Sequence, residues 1–196
     1  MRYFLALMLG IYSVVGYSQN FTGGLAIGIN LSQVDGDSFG GFNKLGYAFS
    51  GFVNYRWDDR WAVQPELRFE SLGSANDVGR VVETRHLSIP ILAEYALPIK
   101  KGQPQSIGFH AGPVIGILLG ADDAFNSVSN ILDGVDFRGE AGADYRFALN
   151  WSFEVRYGYS LSSFLKGDGQ GSTIVAPGKV GLFHNYLSGT IRWHIL

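Results

Sequence analysis

His86 and Ser88 stand two residues apart, with Glu94 downstream. In an extended chain that spacing puts imidazole and hydroxyl on one face, the beginning of a base-activated nucleophile. Such a pair works only where base and hydroxyl together reach a substrate; walled inside a fold, it is two polar lining residues. The other histidines, His110, His184 and His194, are too scattered for a zinc set. The chain has no cysteine, which excludes disulfides, thiolate metal sites, a cysteine nucleophile and a lipid anchor on an N-terminal cysteine. Asp35-Gly36-Asp37 is a fragment of a calcium loop without the remaining ligands, and turn chemistry explains it. Gly167-Asp168-Gly169-Gln170-Gly171 opens no helix, so it reads as a flexible loop and not a phosphate cradle. A net charge of −2 offers no basic face for nucleic acid. None of these features calls for a cofactor.

What remains is a set of charges in a particular arrangement. Arg56, Arg68, Arg138, Arg146, Arg156 and Arg192 face Glu66, Glu70, Glu94, Glu140, Asp144 and Glu154, and all twelve positions are even-numbered. The elements that hold them alternate strictly. The segment from Thr22 to Ser32 turns Leu25, Ile27, Ile29 and Leu31 one way and Gly24, Ala26, Gly28 and Asn30 the other. Segments from Leu45 to Trp57, from Trp61 to Glu70, from His86 to Tyr95, from Phe137 to Phe147, from Trp151 to Ser160 and from Phe183 to Ile195 repeat the pattern. The one from Ser106 to Leu119 is less regular, because Val114 and Leu118 share the face of Gly108, His110 and Gly112. Period-two alternation is the mark of strands with two unlike faces.

The sign of the alternation places these strands. No odd position in the eight segments carries Asp, Glu, Lys or Arg, and that face is bulky and aromatic. The other face mixes Gly, Ala and Ser with balanced charge. A soluble barrel or sandwich would turn its charges to the wide outer surface and its apolar residues inward. Small residues suit a crowded interior, and a charge-free bulky face suits lipid, where Lys or Arg costs about 2–4 kcal/mol at the midplane. The expected fold is all-β: an eight-stranded antiparallel up-and-down transmembrane barrel with a charged, side-chain-filled lumen.

Residues 1–18 read as a signal peptide. Met1-Arg2 is a short positive start, Tyr3 to Val15 is apolar, and Gly16 and Ser18 suit cleavage before Gln19. The apolar run is too short for a helical span of about twenty residues. Residues 19–196 then form the barrel domain. Links at Asp58-Asp59-Arg60 and Ala148-Leu149-Asn150 are tight, and Pro98 to Gln105 is moderate; those at 33–44, 73–84, 120–136 and 162–182 are long. Short periplasmic turns and long outer loops are usual for outer-membrane barrels, and an even strand number keeps both termini periplasmic. Tyr55, Trp57, Trp61, Tyr95, Tyr145, Phe147, Trp151 and Trp193 gather beside the short links or the C-terminus, as a periplasmic-side aromatic girdle would. Phe125, Val128, Ile131 and Leu132, after Asp122-Asp123, have the spacing of a short amphipathic helix capping the mouth. Lys44, Arg80, Arg85, Lys166 and Lys179 fall in or beside the long links, within reach of lipopolysaccharide phosphates.

On four motifs the chain resembles the PorT-like outer-membrane barrels of Bacteroidetes: Gly23-Gly24-Leu25-Ala26-Ile27-Gly28, Trp61-Ala62-Val63-Gln64-Pro65-Glu66-Leu67, His86-Leu87-Ser88-Ile89-Pro90-Ile91-Leu92 and Gly112-Pro113-Val114-Ile115-Gly116. The resemblance covers nearly all of the region after the leader. It implies a non-enzymatic integral barrel, inserted by the barrel-assembly machinery and structural or accessory in role, with a place in a type IX-like secretion or surface complex. It brings no catalytic residues. Such barrels usually end on an aromatic residue, and this chain ends Trp193-His194-Ile195-Leu196. The charged face reads as an interlocked plug, because eight strands enclose only enough room for side chains and a buried charge left unpaired is costly. Two alternatives stand beside it: a small porin-like ion or solute channel, and a lipid A-modifying enzyme, since His86 and Ser88 resemble the His-x-Ser pair of a barrel lipid A deacylase.

Overall fold

The computed structural model describes residues 20–36, 41–75, 81–99, 103–123, 134–164 and 181–195. They form β1 (Phe21–Asp35), β2 (Lys44–Arg56), β3 (Trp61–Ala75), β4 (Val81–Pro98), β5 (Ser106–Asp123), β6 (Val135–Ala148), β7 (Trp151–Ser160) and β8 (Phe183–Ile195). Each strand pairs antiparallel with the next, and β1 closes on β8 from Gly23↔Ile195 to Asp35↔Phe183. Closure gives every strand a partner on both sides and leaves no open edge. No helix among the described residues is long and apolar enough to cross a membrane.

The alternation becomes an inside and an outside. Leu25, Ile27, Phe49, Leu67, Phe109, Phe153 and Ile191 are exposed on the outer wall, whereas Arg68, Arg138, Glu70 and Tyr186 are buried. Among the described residues the buried apolar cluster is small: Val34 and Phe164 pack with Leu118, Ala121 and Leu182 near the long-link end. Small residues make the interior fit. A Cβ at Gly116 would overlap the Arg138 guanidinium, and one at Gly158 would overlap the Tyr186 ring.

Several strands run past the limits expected from polarity. β1 continues to Asp35, β3 to Ala75, β5 to Asp123, and β4 begins at Val81. Beyond the apolar band, outward positions such as Asp35, Glu83 and Arg85 carry charge, so the polarity signal stops while the backbone ladder goes on. Lys44 is corrected by the same observation. It is no loop cation but a buried residue of β2, paired with Glu83 at 2.9 Å. Arg85 likewise sits in β4 and pairs with Asp122 at 2.8 Å. Pro65, Pro90 and Pro113 interrupt β3, β4 and β5; lacking an N–H, each stands where the pairing skips, as between Phe52↔Glu66 and Tyr55↔Val63. The leader with its cleavage point before Gln19, the helix expected over Phe125 to Leu132, the run from Gly167 to Gly171, and Arg80, Lys166 and Lys179 lie outside the described residues.

Candidate functional site

The lumen-facing charges come from alternate residues of strands whose register stacks them in rows. Glu70 stands beside His86 across β3–β4, and Asp144 beside Glu154 across β6–β7. Closure then brings opposite walls together. Arg68 of β3 bonds Glu140 of β6, and Arg138 of β6 bonds Glu70 of β3 at 2.8 Å. Arg156 of β7 reaches Glu66 of β3 at 2.7 Å, and Arg192 of β8 reaches Gln64 of β3. β3 is thereby tied across the lumen to three other strands.

Eight of the twelve sequence-selected charges form one connected layer. Arg156 bridges Glu66, Glu140 (3.3 Å) and Glu154 (2.7 Å), while Arg192 bonds Glu154 at 2.8 Å. Arg68 joins Glu70 at 3.1 Å, and Arg138 extends the layer to Asp136 at 3.2 Å. None of the eight is more than 5% exposed. Tyr186 fills the middle: its hydroxyl donates to Glu140 at 2.5 Å and accepts from Arg138 at 3.3 Å. The Arg192 guanidinium lies 4.0 Å from the Phe52 ring centroid, a cation–π contact. Asp136, Tyr186, Gln64 and Phe52 were not selected from the sequence. Each stands at an even position, so parity alone pointed to them, but neutral side chains carry no charge signal and Asp136 fell inside a predicted link.

The other four charges stand apart, at the short-turn end. Arg56 pairs with Glu94 at 3.4 Å, and Asn54 donates to Glu94 at 3.0 Å. Arg146 contacts no carboxylate among the described residues; its Nη2 lies 2.9 Å from Nδ1 of His194, whose Nε2 lies 2.9 Å from the Ser152 hydroxyl. Guanidinium can only donate, so Nδ1 accepts and the proton of a neutral His194 sits on Nε2. Among the described residues, Asp144 has one basic group within 4 Å, His110 at 3.9 Å. Among the described residues the charges of the middle layer are cross-linked, whereas this end holds one ion pair, Arg56 with Glu94, and leaves Arg146 and Asp144 outside it. The reason is geometric: this end widens into a cavity of about 280 Å³, lined by Arg56, Glu94, Asp144, Arg146, Arg192 and His194 among others.

At the long-link end the chemistry differs again. His184 Nδ1 donates to Asp136 at 3.0 Å, and Nε2 faces the Thr84 hydroxyl at 3.0 Å. This is the order of a charge-relay triad, yet Thr84 and His184 are 0% exposed, and Phe164 stacks on the imidazole at 4.0 Å. A nucleophile so covered meets no substrate. The His86–Ser88 pair is not assembled either. Ser88 donates to Glu70 at 2.5 Å and accepts from Arg138 at 2.6 Å, while neither ring nitrogen of His86 has a hydrogen-bond partner among the described residues. Glu94 lies away from both, beside Arg56. No group of three or more His, Asp or Glu side chains among the described residues is placed to hold a metal.

The aromatic residues picked out by position are outward and exposed: Tyr55, Trp57, Trp61, Tyr145, Phe147, Trp151 and Trp193, with Tyr95 half-buried. Trp61 packs on Tyr95 with ring centroids 4.8 Å apart, Tyr55 packs on Phe21 at 4.9 Å, and Trp151 is the register partner of Trp193. Arg60, in the tight turn, donates to the Tyr95 hydroxyl at 3.1 Å.

A family model described as the outer membrane protein beta-barrel domain matches residues 17–166. No curated protein sequence matches the chain. Among solved structures, the fold is similar to Ail, the attachment invasion locus protein of Yersinia pestis, solved with the heparin analogue sucrose octasulfate. That likeness has a TM-score of 0.51 at 14% identity and covers 90% of this chain and 100% of that one. It is similar also to Neisserial surface protein A, with a TM-score of 0.52 at 12% identity, covering 89% of this chain and 97% of that one. At such identities the likeness is one of fold.

Proposed function

Because the chain belongs to the outer membrane protein beta-barrel domain family, we propose that it serves the bacterial outer membrane as a filled, non-enzymatic barrel with a structural or accessory role. The observation that carries this reading is the buried layer of Arg68, Arg138, Arg156 and Arg192 with Glu66, Glu70, Glu140 and Glu154. An ion crossing the lumen would have to part these pairs. Breaking a buried pair costs about 3–5 kcal/mol, and here the pairs are cross-linked, so several must open together. Against the enzyme reading stand the carboxylate and guanidinium that occupy both sides of the Ser88 hydroxyl.

Residues 1–18 act in this reading as the export leader. Both described chain ends lie at the end with the short turns, since Gly23 pairs with Ile195, which supports periplasmic termini and extracellular long links. Lipid and lipopolysaccharide surround the outer wall, the barrel-assembly machinery inserts it, and the PorT-like resemblance supports a place beside a secretion or surface complex. Planar-bilayer recording on the purified, refolded chain tests the closed lumen. The expected result is no sustained unitary conductance; reproducible channel openings would give the role to a small pore.

A further inference from the structure

The short-turn cavity is balanced in charge but only partly paired. Within its lining, Arg56 and Glu94 satisfy each other at 3.4 Å, and Arg192 is held from below by Glu154 at 2.8 Å. Asp59 sits on the exposed turn, where water solvates its carboxylate. Among the described residues this leaves one cation of the lining, Arg146, and one anion, Asp144, each without an oppositely charged partner within 4 Å apart from the histidine contact at 3.9 Å. Asp144 is 8% exposed, and its Oδ1 has no hydrogen-bond partner among the described residues. Buried carboxylate oxygens are seldom left without a donor. The wall makes room for it: a Cβ at Gly108 would overlap this carboxylate.

Asp144 and Arg146 are alternate residues of β6 and share the lumen face. Asp144 stands in the row of Gly108 and Glu154, and Arg146 one row nearer the turn, with Ser106 and Ser152. The Arg146 guanidinium is directed to His194, not to Asp144. A ligand that satisfies both must carry one positive and one negative group close together, the positive one deeper. A volume of about 280 Å³ lies just below the usual range for ligand pockets, about 300–1,000 Å³, so such a ligand has few heavy atoms.

We propose that this vestibule binds a small zwitterion of the α-amino-acid class, its ammonium on Asp144 and its carboxylate on Arg146. The central ion-pair layer closes the cavity on its inner side, so the site captures its ligand from the short-turn face and does not pass it through. An anion alone would leave Asp144 unpaired, and an amine alone would leave Arg146 unpaired.

The test is calorimetric or NMR titration of the full, refolded barrel in detergent micelles, with glycine, glycinamide and acetate as probes. Glycine is expected to bind saturably, and glycinamide and acetate at least tenfold more weakly. Asp144→Asn and Arg146→Gln should each weaken glycine by about tenfold or more, the scale of one charge-assisted hydrogen bond. Heat-modifiable gel migration reports whether each variant has formed its barrel, and the wild-type probe series stands without the variants. Acetate binding as tightly as glycine, glycinamide binding as tightly as glycine, or no saturable glycine binding would each overturn the proposal.

Discussion

Glu140 shows what one carboxylate does in a lumen filled by side chains. It accepts from Arg68, from Arg156 at 3.3 Å and from the Tyr186 hydroxyl at 2.5 Å, while being 4% exposed. Glu140→Gln keeps the shape and removes the charge, leaving Arg68 and Arg156 to share Glu66, Glu70 and Glu154. The expected cost is about 3 kcal/mol, the lower end for breaking a buried pair, read as a lower guanidinium midpoint in micelles with the β-rich circular dichroism spectrum retained. An unchanged midpoint would mean the layer is wet and loosely held. That Glu140 faces inward was legible from its even position. That it meets Arg68, 72 residues away in the chain, was not, because the alternation fixes a face and says nothing about what stands opposite.

At the scale of the strand, one rule sorts nearly every side chain, and the exceptions show where the rule ends. Polarity alternates only across the apolar band; past it, β1, β3, β4 and β5 continue as strands, and β1 and β4 carry charge there at outward positions. A reading by polarity therefore found the width of the band and mistook the strand ends for loop. Lys44 is the clearest case, a buried partner of Glu83 that looked like a solvated loop cation. The band makes a prediction that depends on depth. Ile27, in the middle of β1 and 57% exposed on the outer wall, should cost about 2–4 kcal/mol when changed to Arg, whereas Trp57→Arg, beside the tight turn, should cost about 0–1 kcal/mol. Equilibrium unfolding of the two variants from lipid vesicles measures the difference. Equal costs would remove the membrane midplane from Ile27.

For the whole molecule, closure is the deciding event. It abolishes the sheet edges, turns one face into a wall for lipid, and forces β3 against β6, β7 and β8, where the buried layer forms. The orientation proposed for the barrel has a direct check, helped by the lack of any native cysteine. Asn150→Cys, in the tight turn between β6 and β7, should react with a membrane-impermeant maleimide only after the outer membrane is permeabilised; labelling in intact cells would reverse the orientation. The sequence by itself determined the strand number, the inward set of charges and the outward aromatic face, because period-two alternation is a local property that every segment states for itself. Only the tertiary structure decided which charges pair. Partners such as Arg138 and Glu70, or Arg156 and Glu66, come from opposite walls whose facing is set by closure and register. Among the described residues, the same closure parts His86 from any hydrogen-bond partner and leaves Asp144 and Arg146 unmatched at the short-turn end. Local pattern chose the faces, and cross-lumen geometry chose the contacts.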